Sequence, residues 1–235
     1  EVGIGTECRL LARGLYNPAF AAAATAAIAA GSQKIDIIGV DRGPPPTAPT
    51  RDRITQQFFL NNNTDVQSTT NIDGSFDYVQ GNIETGLAQY DDGSFDCILC
   101  SFLLCSVENP VAAVTEIQRL LRPDGGTFGY IEHVAVNPDE PYKLLRVQQQ
   151  VLNPLQNLLA DQCNLNRQTE ATIRDVFGIH DDTTTTTTTM TEEPNTALAP
   201  AQPINRAKII TGERFLVPEM WPISCQACGV IQRIS

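Results

Sequence analysis

The stretch from Phe95 to Val134 constrains the fold of this chain more than any other. A ten-residue apolar run, FDCILCSFLL, is followed by a helix-forming segment, PVAAVTEIQRLL, a turn, RPDGG, and a second apolar run, TFGYIEHV. A strand that is apolar at nearly every position is buried on both faces, which happens where helices cover both sides of a parallel sheet. Two such strands joined through a helix form a crossover unit and not a hairpin. Within the helix, Val111, Val114, Ile117 and Leu121 fall on one face, and Pro110 stands at the start, where its missing N–H does no harm.

The same alternation runs through the rest of the chain, which predicts a single α/β domain over residues 1–235 with a parallel sheet and helices on both faces. Residues 8–30 read as helix, interrupted near Asn17-Pro18. KIDIIGVD is a strand ending at Asp41, GPPPTAP a rigid turn, and residues 50–60 a short helix. NNNTDVQSTTNIDG reads as a polar loop and FDYVQGN as a third strand. From 139 to 177 the pattern is helical, with Leu144, Leu145, Val151, Leu155, Leu158 and Leu159 as an apolar stripe. AKIITGERFLVP and CQACGVIQRI supply the last two of seven expected strands. Residues 181–203, with seven consecutive Thr and then Pro and Ala, cannot bury enough apolar surface to order themselves and read as a flexible insertion. Ligands of such sheets bind in the crevice outside the carboxyl ends of the strands.

Charge and cysteine content narrow the partners. The formal net charge is −11, which opposes binding to a phosphate backbone, where clustered Lys and Arg are needed. Seven cysteines, Cys8, Cys97, Cys100, Cys105, Cys163, Cys225 and Cys228, are an odd count, and fit reduced thiols in a reducing compartment (the cytoplasm or the cytoplasmic face of a membrane) better than a disulfide framework. Cys97, Cys100, Cys105, Cys225 and Cys228 lie in strand-like runs or their exits, and only two His exist, neither at finger spacing, so packing thiols and no metal ligand are expected. No apolar run reaches the eighteen residues of a spanning helix; the Ala-rich AFAAAATAAIAAG is too short.

The chain opens on EVGIGTEC, a Gly-x-Gly turn preceded by an acid. The dinucleotide fingerprint G-x-G-x-x-G would require a third glycine where Cys8 stands. Asp41 ends the next strand at the crevice and could accept hydrogen bonds from ribose hydroxyls, whereas Asp36 lies at the wrong end of that strand. A strand usually has five or six residues, and only Glu1 and Val2 precede the turn. The sequence is therefore expected to be N-terminally truncated, to fold and bind ligand weakly as it stands, and to reach a membrane only through a segment upstream.

Glu1-Val2-Gly3-Ile4-Gly5, Asp41, Gly81-Asn82, Ser94-Phe95-Asp96 and the stretch Glu116 to Gly126 follow one another in an order that resembles the class I S-adenosylmethionine-dependent methyltransferases. SFLLCSVENP, LLRPDGGTFGYIEHV and QQQVLNPLQNLLADQCNLNRQT narrow the resemblance to the methyltransferase-like small-thiol methyltransferases, a membrane-associated family. Residues 81–170 carry it well and the ends poorly. Glu7 replaces that family's third glycine, and Asp124 is an extra residue in the Pro-Gly-Gly turn. The resemblance implies a Rossmann-like class I sheet and S-adenosyl-L-methionine as cofactor. Gly3 and Gly5 would admit its methionine portion, Glu1 would attract the ammonium, and Asp41 would bind the ribose. Asn82 would bind the adenine amino group, Ile83 would flank the ring, and Ser101 and Phe102 would line the other side.

The acceptor is expected to be a small molecule, a thiol by resemblance. A thiol reacts as thiolate, so a nearby base or positive field would help. His133, at the end of the fifth strand, is the candidate catalytic base, with Asp161 and Cys163 as others. The segment after the fourth strand, CSFLLCS, lacks the Asn/Asp-Pro-Pro-aromatic turn of enzymes that methylate nucleic-acid amino groups, which with the acidic charge excludes DNA and RNA as expected acceptors. Three other readings remain at this stage: a C- or O-methyltransferase of quinone- or lipid-type substrates, an NAD-binding oxidoreductase, and a cofactor-binding module without activity.

Overall fold

The alternation of apolar runs and helices becomes two stretches of sheet flanked by helices. The computed structural model describes residues 34–55, 73–179, 207–221 and 225–234. The glycine turn with Glu1, Gly3 and Gly5, the helix expected over 8–30 and the insertion at 181–203 lie outside them.

Strand β1 (Lys34–Asp41) buries Ile37 and Val40 and runs parallel to β2 (Asp73–Gln80), from Lys34 opposite Asp73 to Asp41 opposite Gln80. Between them the expected short helix is α1 (Ala48–Thr55), which begins two residues earlier than expected because Thr47 O accepts from the N–H groups of Thr50 and Arg51. β3 (Cys97–Ser101) is parallel to β4 (Thr127–His133). β5 (Ala207–Leu216) and β6 (Cys225–Arg233) complete a stretch ordered β3-β4-β6-β5, in which β6 is antiparallel to both neighbours. Six strands are therefore present among the described residues. β3 is shorter than the ten-residue apolar run suggested. Phe102 has φ of 50°, a left-handed conformation that ends the ladder, and the remaining apolar residues fold into a loop.

Helix α2 (Pro110–Leu120) starts where Pro110 predicted, and Asn109 Oδ1 caps it by accepting from the Ala112 N–H at 3.0 Å. Its buried face is Ala113, Val114, Ile117 and Leu120, while Val111 is 54% exposed; the apolar stripe is rotated from the expected one because Ala113 packs and Val111 does not. Glu116 and Arg119, three apart on this helix, act together. The Glu116 carboxylate accepts the Leu87 N–H at 2.7 Å, and Arg119 donates to Glu116, Asp92 and the Tyr90 carbonyl. The Arg119 hydrogen bond holds Glu116 below the usual carboxylate range. The pair thereby fastens the turn after β2 to the helix that follows β3.

The expected helix over 139–177 is two helices, α3 (Lys143–Leu159) and α4 (Thr169–Phe177). Asp161 and Gln162 both have positive φ and turn the chain back so that Cys163 and Leu165 are buried. Asn153 Oδ1 receives the Leu165 N–H at 2.6 Å across that turn. The stripe expected to be buried on α3 is largely not: Leu144, Val151, Leu155, Leu158 and Leu159 are exposed, and Leu145 alone of the six packs, half-buried, against Val134 and Cys225. Periodicity marks an apolar face, but it cannot say whether anything lies against it. No helix among the described residues is long and apolar enough to cross a membrane.

The RPDGG turn is tied at both ends: the Gly125 N–H donates to Arg233 O at 3.1 Å and the Arg233 N–H to Gly126 O at 2.8 Å. A Cβ on Gly126 would meet the Arg122 carbonyl oxygen at less than contact distance. Gly126→Ala should destabilise the fold by at least about 1–3 kcal/mol, the range for forced overpacking. Thermal melting tests this, and an unchanged midpoint would mean that the turn relaxes freely.

Candidate active site

Because β1 through β4 run the same way within their parallel pairs, Asp41, Asn82, Phe102 and His133 all stand at or just past carboxyl ends of strands. Asp41 is half-buried, and its Oδ1 already accepts the Gly43 N–H at 2.7 Å. The second carboxylate oxygen is the one a ligand would meet. Asn82 caps the short 3-10 turn Ile83–Thr85, its Oδ1 accepting from the Glu84 N–H at 2.9 Å; a carbonyl oxygen has a second lone pair for another donor. Ile83 is 2% exposed and belongs to the same buried cluster as Val40 and Leu87, so its side chain serves the core. Ser101 is fully buried and pairs with Ile131 across the β3–β4 ladder.

Phe102 is where the backbone is unusual. An aromatic residue at positive φ is a genuine outlier, and such strain collects at functional sites. Its N–H donates to Ile131 O at 2.9 Å, and its ring stacks on His133 with centroids 4.5 Å apart and planes 28° from parallel. His133 Nδ1 faces the sulfurs of Cys105 and Cys163, and Nε2 is a buried nitrogen with no hydrogen-bond partner among the described residues. Asp161 is elsewhere. It is exposed and pairs with Arg42 at 3.8 Å, bridging the loop after α3 to the end of β1.

The residue that organises this corner is Glu132, in the segment EHV, which was not among the residues expected at the site. Glu132 is completely buried; its Oε1 accepts the N–H groups of Leu103 and Leu104, each at 2.9 Å, and its Oε2 that of Cys105 at 3.1 Å. The Cys100 thiol adds a contact of 3.3 Å to Oε1. Burial pushes the Glu132 carboxyl up, against the downward pull of these donors. From the other side Arg167 donates to the carbonyls of Leu104 and Val107, at 2.6 and 2.7 Å. The Asn164 N–H reaches Cys105 O at 2.8 Å. The segments LCSV, EHV and DQCNLNR, far apart in sequence, are thus one hydrogen-bonded unit over the ends of β3 and β4. An acid in the middle of an apolar strand was the available signal for Glu132. A separate cleft of about 320 Å³, lined by Tyr130, Ile173, Arg174 and Arg214 among others, holds none of these strand-end residues.

Cys105 and Cys163 were expected to be packing thiols, and they are buried. Their sulfurs are 3.6 Å apart although 58 residues separate them. The pair is asymmetric: the hydrogen bond between them draws the Cys163 thiol down and, together with burial, holds Cys105 well above the ordinary thiol value.

Comparison with known proteins bears on what this corner does. The methyltransferase domain family matches residues 21–129. Over 81 residues the chain is 44% identical to the human thiol S-methyltransferase TMT1A, covering 34% of this chain and 32% of that protein. It is 40% identical over 84 residues to human thiol S-methyltransferase TMT1B, covering 35% and 32%. The matched stretch is therefore about a third of the length of each relative. Among solved structures, a S-adenosylmethionine-dependent methyltransferase of Methanosarcina mazei aligns at 13% identity over 99% of this chain and 90% of its own, with a TM-score of 0.48. The YcgJ protein of Bacillus subtilis aligns at 16% over 89% and 86%, with a TM-score of 0.47. Residues 21–129 are thus similar to a methyltransferase domain, and the stretch shared with the two human thiol S-methyltransferases is a part of that likeness in sequence.

Proposed function

We propose that the protein transfers a methyl group from S-adenosylmethionine to a small thiol. The observation that carries this reading is the corner just described, in which the segments LCSV, EHV and DQCNLNR, which resemble those of the small-thiol methyltransferases, assemble at the carboxyl ends of β3 and β4. When bound, the cofactor supplies an electrophilic methyl group on a sulfonium. The residues present fit such a ligand by their donor and acceptor character. Ribose hydroxyls and the adenine amino group are donors, and the crevice offers acceptors at Asp41 and at Asn82 Oδ1.

Methyl transfer is an in-line displacement, and holding the nucleophile at the right distance and angle supplies much of its rate. Phe102 and His133, locked by their stack and by the Glu132 anchor, form a rigid wall for that purpose. His133 Nε2 is a buried nitrogen awaiting a partner, and a sulfur acceptor placed against it would satisfy it. The formal net charge of −11 agrees with a small acceptor better than with a polyanionic one.

The test is incubation of the full-length protein with labelled cofactor and a panel of thiols, phenols and quinols. Methylated thiols are the expected products. Efficient methylation of a phenol or quinol with no thiol product would overturn the acceptor assignment, and tighter binding of NAD than of S-adenosylmethionine would overturn the cofactor.

A further inference from the structure

We infer that Cys105, His133 and Cys163 form a binding site for a single zinc ion. The three ligand atoms, all within 4.8 Å of one another, are buried. Around a tetrahedral zinc with Zn–S near 2.3 Å and Zn–N near 2.0–2.1 Å, two sulfurs stand about 3.8 Å apart and a sulfur and nitrogen about 3.6 Å. Here the two sulfurs are 3.6 Å apart, and His133 Nδ1 is 3.7 Å from Cys105 Sγ and 3.5 Å from Cys163 Sγ. All three edges of a tetrahedral face are thus present at close to the right length.

The ligands are also held in place by contacts that need no metal. Cys105 is fixed through its N–H to Glu132 and through its carbonyl to Asn164, and the Cys163 N–H closes its own turn on Ala160 O at 2.9 Å. The Phe102 stack sets the plane of the imidazole. Two thiolates and an imidazole are the donor types zinc selects, and a three-ligand set leaves one tetrahedral position for a non-protein donor. An ion here would lock the loop after α3 onto the loop after β3, across the strand ends. This inference stands on the cluster's geometry and does not depend on the acceptor proposed above.

Reduced full-length protein, stripped of metal, is titrated with Zn²⁺ against a chromogenic chelator and separately with Co²⁺. One equivalent should bind, with a thiolate-to-cobalt charge-transfer band. Cys163→Ser and His133→Asn should each weaken binding by more than the roughly 10–100-fold typical of losing a supporting residue, while Cys228→Ser, on β6, should not. X-ray absorption on the unaltered zinc-loaded protein should show two sulfur neighbours at about 2.3 Å and nitrogen at about 2.0–2.1 Å, which decides the matter even if a variant fails to fold. Absence of stoichiometric binding, a shell without sulfur, or wild-type affinity in both variants would overturn the site.

Discussion

Glu132→Ala is expected to be the most damaging single substitution in this corner. It leaves the buried N–H groups of Leu103, Leu104 and Cys105 without their acceptor, at about 1–3 kcal/mol each. Total stability of a domain is about 5–15 kcal/mol, so the low end alone should lower the melting midpoint by roughly 6–12 °C. Glu132→Gln should be milder, because an amide oxygen at the Oε1 position keeps three of the four contacts and faces its NH₂ only toward the Cys105 N–H. The glutamine variant also reports on charge. Burial raises the Glu132 carboxyl in the folded protein, so its contribution to stability is greatest below the ordinary carboxylate range and is lost as pH rises through the folded value. The stability of wild type relative to Glu132→Gln should accordingly fall with rising pH. Denaturant melts of the three proteins across pH check this, and equal stability of wild type and Glu132→Ala would show that the loop finds other acceptors.

Asp41→Ala should weaken binding of S-adenosylmethionine by about 1.5–3 kcal/mol, the range for hydrogen bonds to a charged group, or roughly ten- to more than a hundredfold. The carboxylate also holds the turn through Gly43, so affinity and fold have to be separated. Asp41→Asn does so: its one carbonyl oxygen can keep the Gly43 contact, and its NH₂ can donate to a ribose oxygen but cannot accept from a hydroxyl. Calorimetry on the full-length protein should rank wild type above Asp41→Asn, and that above Asp41→Ala. Equal affinities would place the ribose elsewhere.

Much of the architecture could be read from residue order because it rests on local chemistry. KIDIIGVD and TFGYIEHV are apolar enough to be central strands, and the observed β1 and β4 coincide with them but for the terminal valine of the second. Pro110 and Asn109 set the start of α2 through backbone rules that act within four residues. Asp41 and Asn82 follow the same logic, since their positions at strand ends come directly from the strand boundaries.

What escaped the sequence depends on contacts between distant segments. The face that α2 buries turns on whether Ala113 or Val111 meets α4 and the turn after β2, and hydrophobic spacing is the same for both. Along α3 the spacing of Leu144, Val151, Leu155 and Leu158 marks an apolar face, whereas its exposure follows from where the helix sits. Likewise Cys105, His133 and Cys163 are unremarkable one by one. Their sulfurs and nitrogen meet only because β3 and β4 are adjacent, Glu132 draws in the loop after β3, and the positive-φ turn at Asp161 and Gln162 swings Cys163 back over them. Local order follows from short-range sterics and capping, but chemistry at this corner follows from closing long loops, whose partners no single segment names.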